Sequence, residues 1–76
     1  MNLKELLDKV ECGTIIYIDE SKRKVWANEE HKTIIERECL MDMYYKVKNY
    51  YDYDVIGLTV IDKSTLYIVI YKNESD

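Results

Sequence analysis

Chemistry in this chain of 76 residues would have to come from His31, Cys12, Cys39 or the fifteen carboxylates. His31 is the sole histidine and lies in the charged run Glu29-Glu30-His31-Lys32, a setting that reads as ordinary surface. The two cysteines lack the CxxC spacing of a zinc or redox site. Either could serve as a nucleophile only if folding set His31 beside it. Two thiols are also too few for a secreted disulfide framework, so both read as reduced, packed side chains of a cytoplasmic protein. Gly13 and Gly57 cannot build a phosphate-cradling loop. Asp52 and Asp54 could in principle share acid–base work or a cation, but acids in such a stretch usually end a helix in solvent. No catalysis, metal or cofactor is therefore expected.

The aromatic residues are more distinctive. There is no Phe, and eight Tyr and one Trp supply all the ring mass. Tyr44-Tyr45 and Tyr50-Tyr51-Asp52-Tyr53-Asp54 place five tyrosines within ten residues, interleaved with acids. Such rings either fill a core edge or form a contact surface, since Tyr is enriched at interfaces and hot spots. Flanking carboxylates would then select a basic partner.

These side chains must be positioned by a small fold. One domain spanning residues 1–76 is expected, with 73–76 a frayed polar tail. The charged fraction of 34% beside 47% hydrophobic residues is globular composition. No apolar run is long enough for a membrane-spanning helix, and the start of the chain does not resemble a signal peptide. A net charge of −4 disfavours direct nucleic-acid binding and an anionic membrane surface. Bases could stack on Tyr17, Trp26, Tyr67 and Tyr71, but that acidity opposes it.

Asn2 with Glu5 forms a capping-box pattern, and Leu3, Leu6, Leu7 and Val10 make a helical stripe ended by Gly13 as a left-handed cap. Thr14 to Asp19 and Lys24 to Ala27 read as a hairpin with a basic tip, Lys22-Arg23-Lys24. Asn28 caps a second helix running from Glu29 to about Tyr51, with Leu40, Tyr44, Val47 and Tyr51 on one face. Ile34, Met41 and Tyr45 line another face of it. In the alternative, Thr33 to Arg37 forms a strand and the helix begins near Cys39. Val55 to Ile61 and Thr65 to Tyr71 form a final hairpin about Asp62-Lys63-Ser64. The predicted fold is α+β, helix-hairpin-helix-hairpin (αββαββ), with two helices on one face of a four-stranded antiparallel sheet.

The functional expectation is a small acidic protein-binding module. Short chains without Pro and rich in Lys, Ile, Tyr and Asn are common in AT-rich phage and mobile-element genes, an association rather than a mechanism. The sharpest form is an inhibitor of the anti-CRISPR or host-takeover class that occupies a basic, nucleic-acid-binding surface of a host protein. Its contacts would be Tyr45, Tyr50, Asp52, Tyr53 and Asp54, supported by Glu36, Glu38 and Asp42. The alternative is a homo-oligomeric structural or regulatory protein closing a homodimer through Ile34, Met41 and Tyr45.

Overall fold

The computed structural model describes residues 1–24 and 31–72. Helix α1 (Leu3–Leu7) starts where the sequence says it should. The Asn2 side chain accepts the Glu5 N–H at 2.9 Å and the Glu5 carboxylate accepts the Asn2 N–H at 2.9 Å. Leu3, Leu6 and Leu7 are buried, while the chain leaves the helix before Val10, which is only half-buried. Gly13 does not act as a left-handed cap, since neither described glycine has a positive φ.

Strands β1 (Ile15–Ser21), β2 (His31–Cys39), β3 (Asp54–Val60) and β4 (Thr65–Tyr71) form one sheet in the order β2-β1-β4-β3. The fold is α+β, but the sheet is mixed. β1 pairs antiparallel with β2 and β4 antiparallel with β3, whereas the two central strands β1 and β4 run parallel. The all-antiparallel scheme is thus corrected. Strand direction leaves no mark in composition: a run buried on both faces looks alike whichever way its neighbour points.

The second helix is corrected as well. His31–Cys39 is a strand, so the long helix from Glu29 to about Tyr51 does not form there, while the strand expected at Lys24 to Ala27 lies, past Lys24, outside the described residues. What was expected at residues 25–30 and 73–76, including Trp26, the Asn28 cap and the polar tail, lies outside the described residues. The alternative strand at Thr33 to Arg37 is the one realised, because Ile35 can bury against Ile18 only by pairing with β1. Two register shifts break this pairing, and Arg37 sits at one of them with φ 51°, an uncommon conformation for a residue with a Cβ. Helix α2 is therefore a single turn (Leu40–Met43), followed by turns and a 3-10 segment at Lys48–Tyr50.

Both helices cover one sheet face. Leu3, Leu6, Leu7, Leu40, Met43 and Val47 close over Ile16, Ile18, Ile68 and Ile70 in one core. The inward stripe Leu40, Tyr44, Val47 and Tyr51 survives the shortening: Leu40 and Val47 are buried, and both tyrosines pack against them.

Candidate functional site

On the face away from the helices, the β1–β2 and β1–β4 registers place Asp19, Thr33 and Val69 in one row, with Ser21 beside His31 and Tyr71 in the next. Asp19, an acid in a β-branched strand, is buried. The Tyr67 hydroxyl donates to its Oδ2 at 2.6 Å, and His31 Nδ1 stands 3.6 Å from the same oxygen. Burial and this bond push the Tyr67 pKa well above the usual phenol range, so Tyr67 stays a neutral donor. Asp19 Oδ1 and His31 Nε2 are buried with no hydrogen-bond partner among the described residues. His31 is thus not the lone surface histidine its sequence setting implied. It stands beside a carboxylate, as an acid–base site would require.

The remaining parts of a catalytic constellation are not assembled among the described residues. The Ser21 hydroxyl donates to the Arg23 carbonyl at 2.6 Å and accepts the Arg23 N–H at 3.1 Å. His31 and Cys39 sit at opposite ends of β2, about 26 Å apart at the rise of an extended strand. No group of three His, Cys, Asp or Glu is placed to hold a metal ion among the described residues. Cys12 and Cys39 do meet each other, for the Cys39 thiol lies 3.4 Å from the Cys12 carbonyl oxygen. Cys12 is exposed rather than packed. Sequence spacing gave no hint of this approach, which depends on the turn before β1 meeting the end of β2.

The tyrosine-rich segment divides in two. Tyr44 is the hub of the first group. Its hydroxyl donates to Asp8 at 2.6 Å, it accepts from the Tyr51 hydroxyl at its own carbonyl at 2.6 Å, and its ring meets Tyr45 edge-on at 5.1 Å. The bond to Asp8 raises the Tyr44 pKa, and Lys4 at 2.8 Å holds Asp8 below its usual range. Tyr45 itself is 77% exposed, and Met41, one turn earlier, is 67% exposed. Leu40 and Met43 anchor this turn from inside, so Met41 and Tyr45 have no route into the core. The second group is the edge-on pair Tyr50–Tyr53 at 5.0 Å, half-buried and packed on the core.

The eight expected contact residues are spread over β2, the α2 turn, the 50–53 turn and β3. Tyr45 and Asp42 share the exposed turn. Glu38 is near them but is paired with Lys46 at 2.7 Å. Asp54 lies in the sheet opposite Tyr71, half-buried. Asp52 and Glu36 are exposed, on the 50–53 turn and on β2 respectively. Of the expected self-association stripe, Ile34 packs against the core from β2, so only Met41 and Tyr45 remain together. Comparison with protein-family models, with curated proteins and with solved structures finds no match to this chain.

Proposed function

We propose that the chain is a non-catalytic protein-binding module whose contact centre is the Met41–Tyr45 turn, bordered by Asp42. One observation carries this reading: two large apolar side chains on one turn stand exposed while Leu40 and Met43 of the same turn are buried and Tyr44 packs on the core. A rigidly mounted aromatic and a flexible thioether are the residue types that dominate interface energetics. Asp42 is exposed beside this turn, where its charge acts on Lys46, and it favours a partner that presents a further Lys or Arg there.

The finer form of the proposal is an inhibitor of the anti-CRISPR or host-takeover class, seated on the basic nucleic-acid groove of a host protein. Lys46 on Glu38 and Lys4 on Asp8 neutralise two carboxylates of this side, so the ring and thioether carry more of the contact than phosphate mimicry does. The test is retention of host proteins on the immobilised chain at low and high salt, beside Met41→Ala/Tyr45→Ala. A basic protein held by the native chain, released by salt and lost from the double variant supports the reading. Equal retention by the variant removes this turn as the contact.

A further inference from the structure

Among the described residues six large apolar side chains are exposed, and four of them, Met1, Leu58, Val60 and Ile61, gather along the outer edge of β3. β3 is an edge strand of the sheet. The backbone there is as open as the side chains. The Ile61 N–H donates to the Thr65 carbonyl at 3.1 Å, which makes that a bonded pair. Bonded and unbonded pairs alternate along an antiparallel ladder, so Thr59 bonds inward to β4 while Leu58 and Val60 turn N–H and C=O outward.

Nearer its start, the same edge is already taken. The Val55 N–H donates to the Met1 carbonyl at 3.0 Å, and the Tyr53 carbonyl accepts from Leu3 N–H at 2.9 Å. This N-terminal pairing stops short of Leu58. Exposed edges of soluble proteins are normally blunted by Lys, by Pro or by inward-pointing charges. Here Val55 through Ile61 carries no charge at all, in a chain that is 34% charged.

We propose that β3 pairs with β3 of a second copy, antiparallel about a two-fold axis through Thr59. That register sets Leu58 opposite Val60 of the second copy and Val60 opposite its Leu58. Each pair exchanges both backbone bonds that the monomer leaves open. Leu58 and Val60 project to the helix-covered side, where they meet their counterparts, and Thr59 meets Thr59 on the other side. The pattern is complementary to itself, which is the argument for a second copy over an unrelated strand. Charge agrees. Two chains of net −4 repel over most of their surface, and this uncharged stretch lets them approach with least opposition.

The joined sheet carries β2 at both outer ends. α2 follows directly from β2, so the two Met41–Tyr45 turns would stand far apart and uncovered. The proposal does not depend on what those turns bind.

Sedimentation velocity of the full chain, up to about 1 mM, tests it directly. The mass should rise with concentration from 9.2 kDa to twice that value and no further. Val60→Lys, at a side chain 64% exposed, should keep native circular dichroism and stay monomeric throughout. In a Cys12→Ser/Cys39→Ser background, Thr59→Cys should cross-link into a covalent dimer under diamide, and Thr33→Cys on β2 should not. Tyr45→Ala should leave the dimer intact. A single 9.2 kDa species at every concentration overturns the proposal, as does a dimer that survives Val60→Lys or is lost with Tyr45→Ala.

Discussion

Tyr67 and Asp19, 48 residues apart in sequence, share a 2.6 Å hydrogen bond on the sheet face turned away from both helices. The phenol donates and the carboxylate, itself buried, accepts. Tyr67→Phe removes the one described donor bonded to Asp19 and leaves the acid buried. It should destabilise the chain by about 1–3 kcal/mol in urea unfolding. Adding Asp19→Leu to Tyr67→Phe should recover much of that loss, because no orphaned polar group then remains. A double variant no more stable than Tyr67→Phe alone would show that the pair is not the source of the cost. The pH dependence has a definite sign. The Tyr67 pKa is raised on folding, so its contribution is intact below the ordinary phenol value near 10 and lost as pH climbs beyond it. Stability measured from pH 8 upward should decline less steeply for Tyr67→Phe.

Asp62 is the hinge of the β3–β4 turn. Its Oδ1 accepts the backbone N–H groups of Ser64 at 3.0 Å and Thr65 at 2.9 Å, and its Oδ2 meets the Arg37 guanidinium. These bonds, the Ser64 N–H foremost, hold the carboxyl well below the usual carboxylate range. A depressed pKa gives stabilisation that is present above about pH 4 and fades as pH falls. Hydrogen exchange at Ser64 and Thr65 should therefore be faster in Asp62→Ala than in the native chain at pH 7, with the difference shrinking toward pH 2. Arg37→Ala should show the weaker effect, since the backbone bonds persist. Equal protection in all three chains would mean that the turn is held by strand pairing alone.

Asn2→Ala should cost about 1 kcal/mol in thermal or urea unfolding. It removes the acceptor for the Glu5 N–H and leaves the short helix α1 without its reciprocal cap. Asn2→Asp should be nearly neutral, because an aspartate fills the same role at a helix start. If Asn2→Asp costs as much as Asn2→Ala, repulsion of the new carboxylate by Glu5 and Asp54 outweighs the cap there.

Cys12 and Cys39 should join under mild oxidation. The Leu40 N–H donates to the Thr14 carbonyl at 2.9 Å and the Met41 N–H to the Cys12 carbonyl at 3.3 Å, so both cysteines belong to segments already stitched together. With glutathione disulfide, two thiols would become one disulfide as the oxidant is reduced to two glutathiones. Intact mass should fall by the two hydrogens lost, and the Cys12→Ser variant should not change in this way. Closing a loop across 27 positions stabilises by about 3–4 kcal/mol in the chain-entropy account, which reduction should reverse. Mixed disulfides with glutathione in place of the intramolecular bond would show that the two sulfurs cannot turn toward each other.

Local signals in the sequence located what local forces decide. Asn2 and Glu5 mark a helix start through bonds three residues apart, and the alternation from Thr65 to Tyr71 fits its strand in full. Residues 33–37 were ambiguous because β-branched residues without Gly or Pro suit either state, and the decision lay with a distant partner, Ile18. The parallel pairing of β1 with β4 left no trace for the same reason. At the tyrosine segment, the sequence left the rings open to either a core edge or a contact surface. Tyr50 and Tyr53 pack on the core, which depends on a 3-10 turn at Lys48–Tyr50 in place of a long helix and so left no local signal. Asp19 reads in sequence as the polar end of the first strand, and nothing local points to Tyr67, 48 residues away.

The central β1–β4 pairing also dictates an order of events during synthesis. Ile16 and Ile18 emerge from the ribosome early, yet the strand that flanks them, Thr65–Tyr71, is the last of the described elements to be made. A nascent chain halted before Thr65 can form the β1–β2 hairpin and α1 but has no β4 against which to complete the sheet. Its isoleucines stay available to chaperones, or to each other in neighbouring polysomal chains, until some fifty further residues have been added. Shortening the chain from its C-terminal side into β4 therefore removes a central strand of the sheet and not merely an edge.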